Sequence, residues 1–214
     1  MRPMLRPAGR ERFVAHPRRT LLLGGALVAA VLVAALIVPT GPLAVDRSWA
    51  EAMRDLRTPF LTHVALVFDA LGHGVWWLLP LLAVAAALAA ARRFLALAAF
   101  VAAETLSSLA TGIVKAAVGR PRPPAALVHP VGSSFPSGHT SHAAVTCVAL
   151  VLLVAPRRPA AWAAAALVVA GMAWSRTYLQ AHWLSDVVAG AALGTGVALV
   201  VVGACGFWRA SAKI

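Results

Sequence analysis

At 214 residues, 61% hydrophobic and only 12% charged, with a mean hydropathy of +0.82, the chain lies outside the composition of soluble globular domains and within that of membrane bundles. A formal charge of +12 would point to nucleic acid in a soluble protein, but here the Lys and Arg stand between apolar runs and at the termini, so they report topology and no nucleic-acid partner is expected. Cys147 and Cys205 both sit in apolar stretches, which argues against a disulfide framework or a thiolate metal site.

In chain order, six stretches are apolar and long enough to cross a bilayer as helices: Leu21 to Val38, Val75 to Ala91, Phe94 to Val114, Ser137 to Ala155, Ala160 to Trp174 and Trp183 to Phe207. None alternates apolar and polar residues as a barrel strand does, so the expected fold is all-α, a polytopic six-transmembrane-helix bundle forming one membrane-embedded domain over 1–214. Arg2, Arg6, Arg10, Arg12, Arg18 and Arg19 precede the first span. Arg92 and Arg93 follow the second, Arg157 and Arg158 the fourth, and Arg209 and Lys213 the sixth. All fall on one side. The positive-inside rule then places residues 1–20 as a cytoplasmic basic tail, both termini in the cytoplasm, and the segments 39–74, 115–136 and 175–182 outside the cytoplasmic membrane. The first span is read as an uncleaved anchor, because its core is longer than a signal-peptide h-region and no small-x-small site follows.

Within the outer segment 39–74, Trp49, Met53, Leu56 and Phe60 recur at helical spacing beside Asp46, Arg47, Glu51, Arg54 and Asp55. This fits an interfacial helix lying in the headgroup region, or a solvated linker helix with Arg47 paired to Glu51. Residues 59–71 are too short to span alone and read as a half-helix leading into the second span.

Three polar islands interrupt the apolar chain, and the topology puts all three on the outer side. The first is Lys115 to Pro123, with three cations in eight residues. Alone, it would serve equally well to meet lipid headgroups. The second is Pro136-Ser137-Gly138-His139, where Ser137 can cap a helix, the first-turn N–H groups can face an anion, and His139 can donate a proton near neutral pH. In the third, Ser175 to Asp186, His182 and Asp186 are four apart. On a helix they share a face, the carboxylate accepting one imidazole N–H and leaving the other nitrogen as a nucleophile.

Lys115 with Arg122-Pro123 resembles the K-x6-R-P motif of the type 2 phosphatidic acid phosphatase family. Pro136 to His139 resembles its P-S-G-H motif, and Ser175 to Asp186 its S-R-x5-H-x3-D motif. Three matches in order, all within 115–186, are specific where any one is weak. The resemblance implies a membrane hydrolase that needs no cofactor and no metal and acts on a lipid phosphate or diphosphate at the outer face. His182 would attack phosphorus to form a phosphohistidine and Asp186 would fix its tautomer. His139 would protonate the leaving group and then activate water, while Lys115, Arg122, Ser137, Gly138 and Arg176 would hold the phosphate oxygens. Only seven acidic residues exist, and no pair near the islands looks like a magnesium site.

Arg120 and His129 lie beside the motifs and read as headgroup contacts or as supports behind the site; His142 is placed to tune His139 but fits a structural hydrogen bond better. Glu104, in the middle of the third span, is expected to hydrogen-bond Thr105, Ser107 or a neighbouring helix. Gly190-x-x-x-Gly194, extended by Gly196, reads as a helix-packing stripe. A small transporter would explain the spans but not the motifs, and haloperoxidases of the same pocket type are large soluble proteins. The working alternative is a lipid-directed phosphotransferase. Among lipid substrates, undecaprenyl diphosphate is favoured over phosphatidylglycerol phosphate and phosphatidate.

Overall fold

The computed structural model describes residues 14–211; Arg2, Arg6, Arg10, Arg12 and Lys213 lie outside the described residues. Eight helices are connected by loops: α1 (Pro17–Ile37), α2 (Ala44–Asp55), α3 (Pro59–Leu71), α4 (Gly74–Ala90), α5 (Phe94–Val118), α6 (Gly138–Val154), α7 (Pro159–Tyr178) and α8 (Leu184–Ser211). There is no strand among the described residues. Pro17, Pro59 and Pro159 each open a helix at a position that needs no amide donor. The Thr58 hydroxyl caps α3 by accepting the Leu61 N–H at 3.2 Å. Gly119, in the left-handed conformation at φ 61°, ends α5 and returns its N–H to the Lys115 carbonyl at 3.1 Å.

α8 is the axis of the bundle and packs against α1, α5, α6 and α7. The core between α5, α6 and α8 is apolar, built on Phe100, Val145, Leu152, Leu193 and Val202. Small residues bring the backbones together. A Cβ at Gly190 would collide with the Ser137 carbonyl oxygen and one at Gly194 with that of Ser141, so these two glycines seat α8 on the start of α6. Gly196 turns the other way, toward Gly24 of α1, where an added Cβ on Gly24 would stand 2.6 Å from the Gly196 carbonyl. The expected packing stripe therefore serves two neighbours.

All six expected apolar segments are helices at the expected places. By length and composition α1, α5 and α8 each suffice to cross a membrane, and α3 with α4 passes as one span bent by 63°. α6, at 17 residues, falls just short of that length. The reading of 45–60 needs correction. One helix does not run through it: α2 stops at Asp55, and Phe60 belongs to α3, where it is exposed. The buried face of α2 is Asp46, Ala50 and Met53. Asp46, placed by periodicity among solvated charges, is fully buried.

Candidate active site

His182 enters the site through a backbone turn. α7 ends at Tyr178, Gln180 adopts a left-handed conformation at φ 54°, and the N–H groups of Ala181 and His182 reach back to the Arg176 carbonyl at 3.0 and 3.2 Å. The Gln180 amide steadies the reversal by donating to the carbonyls of Ala50 and Thr177 at 3.1 and 3.0 Å. The imidazole, 4% exposed, donates Nδ1–H to the Ser134 carbonyl at 2.8 Å and accepts at Nε2 from Arg122 Nη1 at 3.1 Å. A carbonyl can only accept, so this network assigns the proton to Nδ1 and leaves the Nε2 lone pair toward the cations. Burial pushes the pKa of His182 down to about 4. The Asp186 carboxylate opposes that shift, and the nearby charges of Arg122 and Lys115 add to it.

The expected direct bond from His182 to Asp186 is not formed as drawn from the helical spacing. His182 precedes α8, its Nδ1 lies 3.6 Å from Asp186 Oδ2, and the Ser134 carbonyl takes the N–H instead. Asp186 is held from elsewhere: Oδ2 accepts the Trp183 N–H at 2.8 Å and Oδ1 accepts Arg120 Nη1 at 2.6 Å. Arg120, placed by sequence beside the motif, is fully buried between two carboxylates. Its other arm donates to Asp46 Oδ2 at 2.8 Å and to the Gly41 carbonyl at 3.1 Å. Asp46 also accepts the Ser185 N–H at 2.8 Å and the Ser185 hydroxyl at 2.9 Å. Burial would raise the Asp46 pKa, but the bonds from Ser185, Arg120 and Leu43 outweigh it and hold the carboxyl below its ordinary range.

A cleft of about 600 Å³ brings together Lys115, Arg122, Gly138, His139, Arg176 and His182, with His129 on its rim. Lys115 Nζ donates to the Ser133 carbonyl at 2.5 Å, and Arg122 donates to the carbonyls of Val131, Gly132 and Ala181 at 2.8 to 2.9 Å. Both cations thus rest on neutral oxygens of the 119–137 loop and of the turn before α8. Arg176 is buried at the end of α7, pairs with Asp69 through Nη1, and keeps a buried Nε with no hydrogen-bond partner. Ser137 and Asp186 support the cleft from behind. Ser137 sits at the N-cap of α6, but its side chain does not cap; its hydroxyl accepts from Thr140 at 3.1 Å and its N–H donates to the Asp186 carbonyl at 2.9 Å.

His139 points at a neighbour the sequence does not announce. Its Nε2 lies 3.2 Å from His73 Nδ1, and its ring fills the space a Cβ would need at Gly72, in the bend between α3 and α4. Asp69, four residues earlier, completes this corner. The acidic side chain absent from the motifs therefore arrives from the half-helix. His142 does not turn to His139: its ring packs at a tilt of 46° on Trp77, and its Nδ1 lies 3.6 Å from Glu104 Oε2, beyond hydrogen-bond distance, so the expected structural hydrogen bond is not formed. Glu104 accepts the Thr146 hydroxyl at 2.5 Å, which answers the expectation of a neighbouring-helix partner. A larger cavity of about 850 Å³ lies between the start of α1 and the α6–α7 loop, and it carries none of the motif residues.

The family model described as PAP2 superfamily matches residues 96–209, which include all three islands. No curated protein sequence matches the chain. Two crystal structures are similar. One is the first transmembrane PAP2 type phosphatidylglycerolphosphate phosphatase from Bacillus subtilis, with 26% identity, a TM-score of 0.67, and coverage of 94% of this chain and 98% of that one. The other is Aquifex aeolicus LpxE, with 22% identity, a TM-score of 0.65, and coverage of 74% and 95%; at that identity the likeness is one of fold.

Proposed function

Because this chain belongs to the PAP2 superfamily, and so has the fold of membrane lipid phosphatases, we propose that it hydrolyses a lipid phosphate through a phosphohistidine on His182. The observation that carries this reading is the state of His182. It is buried, neutral at physiological pH, protonated on Nδ1, and directs Nε2 at the guanidinium of a cation-lined cleft.

In the proposed reaction the phosphoryl group enters among Lys115, Arg122 and Arg176, and its oxygens take the donors that now rest on loop carbonyls. His182 Nε2 forms a bond to phosphorus as the bond to the leaving oxygen breaks. His139 gives that oxygen a proton. Nδ1–H stays bonded to Ser134, and the Asp186 carboxylate 3.6 Å away stabilises the positive charge that develops on the ring. Water then attacks phosphorus, His139 takes its proton, and His182 leaves as a neutral imidazole with release of inorganic phosphate. Fixed charge around a loose phosphoryl transition state supplies the main rate term. No step calls on a metal.

The six-span topology with an outward-facing site goes with this reading. α6 and α7 would complete the bundle, and a cleft at the membrane boundary suits a phosphate whose tail stays in the bilayer. Similarity to a phosphatidylglycerolphosphate phosphatase puts phosphatidylglycerol phosphate beside undecaprenyl diphosphate as a candidate substrate. The test is phosphate release by purified, detergent-solubilised protein from these two lipids and phosphatidate, with chelator present. His182→Ala should lose at least a thousandfold in rate, and the ranking of lipids selects the substrate. Retained turnover in that variant would remove His182 as nucleophile. Transfer of phosphate to an added alcohol in preference to water would establish the phosphotransferase.

A further inference from the structure

We propose that Asp69, His73 and His139 form an inhibitory site for a zinc-class divalent cation at the mouth of the cleft. Binding rests on the geometry of these three residues alone, and its inhibitory consequence rests on the role of His139 given above. Asp69 sits in the last turn of α3, and His73 opens α4 after the 63° bend. His139 arrives from the first turn of α6, its ring seated against Gly72. His73 Nδ1 lies 3.2 Å from His139 Nε2 and 3.5 Å from Asp69 Oδ1, and the three donor atoms lie within 4.8 Å of one another; without an ion Nδ1–H donates to the Asp69 backbone carbonyl at 2.9 Å, a bond the cation replaces as the His73 proton moves to Nε2.

Those spacings fit a metal tetrahedron. Zinc bonds of about 2.0–2.1 Å at tetrahedral angles separate neighbouring ligand atoms by about 3.3–3.4 Å, so two of the three edges already have nearly the required length. Two imidazoles and one carboxylate favour a borderline transition cation over magnesium or calcium, which prefer all-oxygen shells. The same Asp69 Oδ1 also accepts from Arg176 Nη1, and an ionised carboxylate oxygen has a second lone pair for the ion. The His73 side chain is 55% exposed, which gives the ion a path from solvent.

A cation on His139 Nε2 occupies the nitrogen that faces the cleft and so removes the proton donor for the leaving oxygen. The enzyme would then work without metal and be stopped by it.

The experiment uses the full chain in detergent, stripped with chelator. Cobalt(II) titrated into it should give one equivalent of tetrahedral-type visible absorption, lost in His73→Ala and in the bulkier His73→Gln. In parallel, phosphate release is followed against buffered free zinc, each protein referred to its own zinc-free rate. The half-inhibiting zinc concentration should rise at least tenfold in both variants. Equal zinc sensitivity in wild type and variants, or no tetrahedral cobalt band in wild type, overturns the site; zinc that stimulates overturns the inhibition. If no lipid is hydrolysed at all, the function reading has failed and the cobalt arm alone decides the site.

Discussion

The side chain on which the proposed chemistry turns is held at both ends. Ser134 fixes the proton of His182 on Nδ1, and Arg122 rests on Nε2, so the nucleophile is prepared but covered until phosphate oxygens draw the guanidinium away. Burial with surrounding cations keeps the ring neutral, its pKa about 4. The sign of the pH effect follows. His182 attacks only when neutral, and its pKa lies below the ordinary imidazole value, so lowering pH from 7 to 5.5 does not protonate it. The kcat/KM followed downward from pH 7 should therefore hold and decline only below about pH 5. A fall already between pH 7 and 6 would mean that His182 titrates as an ordinary histidine.

At the level of helices, the site depends on how closely α8 lies on the start of α6. Gly190 meets the Ser137 carbonyl, and the Ser137 N–H holds the Asp186 carbonyl in return, so a side chain at position 190 pushes the His139 element away from the His182 element. Gly190→Leu should lower the thermal midpoint in detergent and reduce phosphate release at least a hundredfold, since overpacking costs about 1–3 kcal/mol and misplaces reacting groups. Gly112→Ala, on an open face of α5, should leave the rate unchanged; equal losses in both would mean that the effect does not come from the contact with Ser137. This contact was legible in the sequence as a small-residue stripe, as were the six apolar helices and the three motif islands. The bend at Gly72 was not, because Asp69 and His73 belong to no motif and only the fold turns them toward His139. Arg120 and Asp46 were missed for a related reason. Helical periodicity assigns a charge to a solvated face, and it cannot see a partner 74 residues away that makes burial affordable.

For the whole molecule, all three islands meet at one end of the bundle, while Arg19, Arg157 and Arg158 gather at the opposite end around the second cavity. The proposed orientation puts the cleft outside. Cysteine introduced at Val131, which is 90% exposed beside the cleft, in a background with Cys147 and Cys205 replaced by serine, should react with a membrane-impermeant thiol reagent in intact cells. Cysteine at Arg158 should react only after permeabilisation. The reverse pattern would invert the topology and place the cleft in the cytoplasm.

Arg120 takes one carboxylate from α2 and one from α8, and leaving a buried charge without its partner costs about 3–5 kcal/mol. In the order of synthesis, Asp46 emerges first, Arg120 follows α5, and Asp186 comes with the last helix. A growing chain can pair Arg120 with Asp46 and hold the phosphate loop in readiness, yet it has no His182 to present. On the proposed reading the nucleophile and the carboxylate beside it are made only after both of these, so a chain that stops short of α8 stays silent toward the lipids around it.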